Sequence, residues 1–196
     1  MSFRSLFADN RAASAAEFAM VLPLFIILLF GIIDAGRYMW SVNRAEKAVQ
    51  MGVRMAVVTD FVSTSIGDDY VGQCDTPLGQ GDPIPADCFD QITCTGSGGS
   101  VTCTEGAAVA DAFDNVLDRM RLMMPEIAAD NVDIIYSPAG LGYAGDPNGP
   151  DLAPLVTVRL RGLSFNPIVT LAFANVGLPE VHSSLTFEDG RGAASN

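Results

Sequence analysis

Few residues in this sequence are of types that carry out chemistry, and their spacing limits what each can do. The one histidine, His182, stands beside Ser183. Neighbours on a strand point to opposite faces, so this pair cannot act as the base and nucleophile of a triad. His182 is expected to be structural or superficial. The sequence contains no phosphate-cradling P-loop, no HExxH zinc helix and no nucleophile elbow. Carboxylates abound, but no spacing singles out two of them as an acid–base pair. An aspartyl protease of the membrane type needs carboxylates on several membrane segments, and one segment exists here. No catalytic residue, metal ligand set or cofactor is assigned, and the expectation is that the chain is not an enzyme.

The four cysteines are Cys74, Cys88, Cys94 and Cys103, separated by 14, 6 and 9 positions. Without a CxxC pair, a zinc site is disfavoured. An even count beyond an apolar segment points instead to two disulfides in an oxidising compartment. Four cysteines allow three connectivities. Local pairing, Cys74 with Cys88 and Cys94 with Cys103, is preferred. The aspartates of the same region (Asp68, Asp69, Asp75, Asp82, Asp87 and Asp90) fit no EF-hand spacing and read as solvated surface.

Glu17 is the informative carboxylate, because it borders an apolar run. Phe18 to Ile33 reads FAMVLPLFIILLFGII, uncharged between Glu17 and Asp34. As a helix it covers roughly 24 Å at about 1.5 Å per residue, short of the hydrocarbon core of about 30 Å. The small residues Ala12 to Ala16 extend it on one side. Tyr38 and Trp40 follow on the other, the ring types favoured at the membrane–water boundary. A cleaved secretory signal fits poorly, since cuts after Ala35 or Gly36 place Ile33 or Asp34 at position −3. Positive-inside counting is nearly balanced, with Arg4 and Arg11 before the run and a mildly basic flank after it. The cysteines decide the orientation and place the residues after the run outside the cytoplasm. A carboxylate at the bilayer centre costs about 2.5–3.5 kcal/mol on translocon scales, less near a helix end, and calls for a partner. Were the chain cut after Ala12, the new amino group of Ala13 would lie four residues before Glu17. It could pair with that residue, or with the Glu17 of a neighbouring subunit.

These residues resemble a known family. The segment Arg11-Ala-Ala-Ser-Ala-Ala-Glu17-Phe18-Ala-Met-Val-Leu-Pro23, with Phe30-Gly31-Ile-Ile-Asp34-Ala-Gly36-Arg37-Tyr38, is similar to the N-terminus of TadE-like proteins. These are pseudopilins or minor pilins of tight-adherence (Tad, Flp-type) pilus systems. The resemblance covers about the first 58 residues. A looser likeness extends to Val156–Leu160, Phe165-Asn-Pro167 and Leu185–Glu188. The resemblance implies cleavage by a prepilin peptidase between Ala12 and Ala13, with Glu17 and Phe18 as assembly residues. It departs from the family at Ala12, where Gly is usual. It also implies a single-pass protein of the bacterial inner membrane, able to enter a surface pilus, whose partners are other pilins and assembly proteins. The alternative is a permanently anchored periplasmic scaffold that recruits other pilus or secretion components.

Charge divides along the same line. Residues 1–59 carry a net +2 and residues 60–196 a net −14, which together give the −12 of the chain. So acidic a domain repels nucleic acid, whose binding depends on cations neutralising phosphates. The expected organisation is a cytoplasmic leader (1–12), a transmembrane and continuing amphipathic helix (13–59), and an extracytoplasmic domain (60–196) opening with a cysteine-bearing loop (60–104). Tyr38, Val42, Ala45, Val49, Val53 and Ala56 recur at helical steps and predict a stripe that packs on the protein's own domain. Thr104-Glu105 predicts a second helix start, with Val109, Ala112, Phe113, Val116, Leu117, Met120, Met123 and Met124 on its apolar face and Pro125 at its end. Alternation predicts strands around Val132–Tyr136 and Val156–Leu160, with a third at Val181–Glu188. The fold class is α+β: a long N-terminal helix, then a domain with a helix on an antiparallel sheet of about three strands.

Overall fold

The computed structural model describes residues 10–67, 69–146, 150–168 and 175–188, with side chains from Ser14 onward. The expected tail from Asp189 lies outside the described residues. Helix α1 runs from Asn10 to Ala56. Pro23 sits inside it without ending it. The chain forms two compact units, Met1–Ser41 with Ser164–Val176, and Val42–Leu163 with Gly177–Asn196.

The larger unit has a sheet at its centre. The strands are β1 (Ile92–Ser97), β2 (Ser100–Cys103), β3 (Val132–Ser137), β4 (Leu155–Leu160) and, later in the chain, β7 (Val181–Thr186). Their order is β2-β1-β3-β4-β7, antiparallel throughout. Ser164–Phe165 (β5) and Val176–Gly177 (β6) form a separate two-stranded pair. The three expected strands are all present, but the sheet has five strands rather than about three. The two extra strands form a hairpin inside the stretch read as loop. Thr, Ser and Gly dominate it, and Gly98 and Gly99 make its turn at positive φ, so it lacks the bulky alternation that announces a strand.

Helix α2 spans Ala110–Arg121. It begins six residues after the expected Thr104. The segment before it is pinned elsewhere: Thr64 N–H donates to the Ala107 carbonyl at 3.1 Å and Val109 N–H to the Val62 carbonyl at 2.7 Å. Gly106 has φ +73°, and a Cβ there would meet Ser63 Oγ at 2.6 Å. That left-handed glycine and close approach keep residues 104–109 out of the helix. α2 buries Ala112, Phe113, Val116, Leu117 and Met120, with Met124 buried just beyond, whereas Met123 is exposed.

The C-terminal part of α1 packs on this unit through Ala45, Ala48, Val49, Val53, Ala56 and Val57, all buried. Gly52 allows the closest approach, since a Cβ there would lie 2.7 Å from Met120 Cγ and 3.4 Å from Val158 Cγ1. One sheet face supplies Val132, Ile134, Tyr136, Val156, Val158 and Leu160 to the same core. Buried Tyr136 accepts the Val62 N–H at 3.1 Å, and burial drives its phenol pKa upward despite that bond. Phe61 stacks on Phe187 at 4.1 Å and meets Tyr136 edge-on at 5.7 Å. Arg44 forms a two-pronged bond to Glu126 at 3.0 and 3.1 Å and donates to the Met123 carbonyl.

The disulfides follow the local pairing, Cys74–Cys88 and Cys94–Cys103. Cys94 and Cys103 are direct partners in the β1–β2 register.

Candidate assembly interface

The apolar run of α1 is uncovered. The helix is long and apolar enough to cross a membrane, and none of its most apolar stretch is buried. Met20, Leu24 and Ile32 are 82%, 71% and 63% exposed, so no face of the run is taken up by the protein's own fold. Glu17 and Phe18 lie at its N-terminal edge, both exposed. Ala12 and Ala13 fall within α1, and their side chains lie outside the described ones. One helix therefore carries all four residues, with Glu17 one turn after Ala13.

The other end of the run is built differently. Asp34 is buried, at 8% exposure. Its Oδ1 accepts the Ile168 N–H at 2.8 Å and Arg37 Nη1 at 3.0 Å. Arg37 lies over the Phe165 ring at 5.1 Å from its centre, and Tyr38 meets the same ring edge-on at 5.7 Å. The acidic-x-Gly-Arg segment thus joins α1 to residues 165–168. Sequence reasoning took Asp34 as the boundary of the apolar run and as part of the family-like Asp34-Ala-Gly36-Arg37 segment, without a partner outside the helix. The signal available was the i, i+3 spacing of Asp34 and Arg37, which places both on one helix face.

Two further carboxylates missed in the sequence organise the larger unit. Asp133 is buried beneath Arg159 and Arg161, with contacts of 2.7–3.1 Å, and accepts Thr95 Oγ1 at 2.8 Å. Burial opposes its charge, but the bonds from Arg161, Arg159 and Thr95 prevail and hold the carboxyl below the usual range. Asp151 accepts three backbone N–H groups, from Tyr70 (2.8 Å), Gly145 (2.7 Å) and Asp146 (2.8 Å). Here too burial raises the pKa and the N–H donors more than reverse it. Both residues tie strands or loops together.

His182 is exposed on β7 and lines a shallow depression of about 300 Å³ with Glu46, Gln50 and Glu180. Among the described residues no group of three or more His, Cys, Asp or Glu side chains is placed to hold a metal ion.

Residues 12–54 match the family described as TadE-like protein. That span takes in Ala12, Ala13, Glu17, the apolar run, the Asp34–Arg37 segment and most of the stripe that packs on the larger unit. No curated protein and no solved structure matches the chain.

Proposed function

We propose that this chain is a structural subunit of a Tad-type pilus system, a minor pilin or pseudopilin that packs laterally through α1. The observation that carries the reading is the TadE-like match over residues 12–54, falling on a helix whose apolar run is uncovered on every side. In the inner membrane, lipid covers that run. In a filament or at its base, the same side chains meet the helices of neighbouring subunits. Residues 1–12 are the cytoplasmic leader, removed by a prepilin peptidase between Ala12 and Ala13, and residues 60–196 lie on the periplasmic side. The freed amino group of Ala13 neutralises Glu17 of an adjacent subunit and sets the axial register, with Phe18 packed beside it. Other pilins and pilus-assembly proteins are the partners.

Two measurements test this. Intact mass and N-terminal sequencing of the protein from native membranes should find a chain beginning at Ala13. Glu17→Ala should leave membrane insertion intact and lower the number of pili. Unchanged piliation in that variant would sink the registry role. A second reading is favoured by Ala12, which stands where the family usually has Gly. A blocked cut leaves a permanently anchored periplasmic scaffold that recruits other components. Shearing separates the two, because a pilin is recovered with surface filaments and a scaffold only with inner membrane.

A further inference from the structure

The uncharged part of α1, Phe18 to Ile33, is shorter than the hydrocarbon layer and draws on its flanks. It covers about 24 Å at about 1.5 Å per residue of a hydrocarbon layer about 30 Å thick. The small residues Ala12 to Ala16 extend it on one side, and the smaller unit offers further apolar surface at the Asp34 end. Gly162 to Pro179 contains no charged residue, although it lies in the part of the chain that is net −14. Within it, Phe165 and Pro167 border a depression of about 230 Å³ together with Ala35, Tyr38, Met39 and Val176. Around it, Met39, Ile168 and Val176 are 62%, 51% and 38% exposed. Met39 lies only about 9 Å along the axis from Ile33 at about 1.5 Å per residue.

We infer that Ser164–Ile168 with Val176 is a membrane-docking element, clamped to α1 by Asp34, whose exposed apolar side chains seat in the glycerol and upper acyl region of the bilayer beside the span. The occupant of the depression is lipid, because its apolar lining continues directly from the membrane run on the same helix. The clamp meets the chief requirement of that environment. Non-helical backbone at membrane depth must have its polar groups satisfied by protein, and Asp34 accepts the Ile168 N–H. Arg37, paired to Asp34 and laid over Phe165, keeps its cation at the boundary. Tyr38 and Trp40 are ring types that favour the same level. The inference rests on α1 spanning the membrane.

The chain's single tryptophan makes a direct test possible. The full chain carrying Trp40→Phe is reconstituted in phosphatidylcholine vesicles with a new tryptophan at one of two positions. Ile168→Trp reports on the docking element and Leu28→Trp on the span. With lipids brominated near the glycerol end of the acyl chain, Ile168→Trp should be quenched more than about two-fold, as expected for a ring at the interface. Its quenching by aqueous iodide should be several-fold weaker than that of free tryptophan amide. If Leu28→Trp is quenched by brominated lipid and Ile168→Trp only by iodide, the docking element is overturned while the span stands. If neither responds to lipid, the membrane reading itself has failed. Adding Asp34→Ala should abolish lipid quenching of Ile168→Trp, whereas Asp34→Asn, which keeps an acceptor oxygen, should preserve it. Equal quenching with Asp34→Ala would overturn the clamp.

Discussion

Two aspartates separate what a carboxylate can do when it leaves water. Asp133 is buried but has two guanidinium partners, so its charge is retained. Its pKa is lower folded than unfolded, where the ordinary value of 3.8 applies. Its stabilisation is therefore complete above about pH 4 and is lost as pH falls through the folded value. Asp133→Asn should flatten the acid side of the stability–pH curve, measured by urea unfolding between neutral and acidic pH. At neutral pH it should cost about 1–3 kcal/mol, the range for a lost hydrogen bond to a charged group. Asp151→Ala acts through the backbone. It removes the carboxylate acceptor of the buried Tyr70 N–H, at about 1.5–3 kcal/mol for a lost hydrogen bond to a charged group. Water can reach Gly145 and Asp146, so the loss should not triple. Faster amide exchange at Tyr70 than at sheet positions would accompany it. The sequence singled out neither residue, because both carry meaning only through partners distant in the chain. Glu17 stands out in the sequence because it borders an uncharged apolar run.

At the level of elements, the readable parts were those with one dominant period. The Ala45–Val49–Val53–Ala56 stripe and the alternation of Val132–Ile134–Tyr136 and Val156–Val158–Leu160 each bury the expected side chains. The β1–β2 hairpin escaped because Thr, Cys, Gly and Ser give no strong alternation and its pairing is held by a disulfide. The early helix start failed because Gly106 and the contacts to Val62–Ser65 outweigh the local signal of Thr104-Glu105. The two disulfides should differ in consequence. Cys94–Cys103 joins strands already paired in register. Cys74–Cys88 closes a region outside the named strands, bridged within itself at Val71 with Leu78 and tied to the rest by the isolated bridge of Pro83 with Tyr143. Replacing Cys74 and Cys88 by Ser should open residues 71–91 to limited proteolysis while leaving the far-ultraviolet circular dichroism of the sheet intact. A collapse of that spectrum would mean that the loop, and not the sheet, organises the unit.

For the molecule as a whole, the uncovered run of α1 and the acidic remainder make opposite demands on solvent. The run needs lipid or neighbouring helices, and the acidic remainder favours water. Wild-type chain should stay with the membrane pellet in an alkaline carbonate wash. Leu24→Arg with Leu28→Arg should release it to the supernatant, since each cation near a helix centre costs about 2.5–3.5 kcal/mol on translocon scales. Strand order carries one more consequence, for biogenesis. Apart from the short β5–β6 pair, every strand joins one that precedes it in the chain: β2 and β3 flank β1, β4 joins β3, and β7 joins β4. Both disulfides also close before β3 is reached. As the residues after α1 emerge in chain order during synthesis, the sheet can be laid down from one edge. No late strand has to wedge between two already paired, and no early thiol has to wait for a late one.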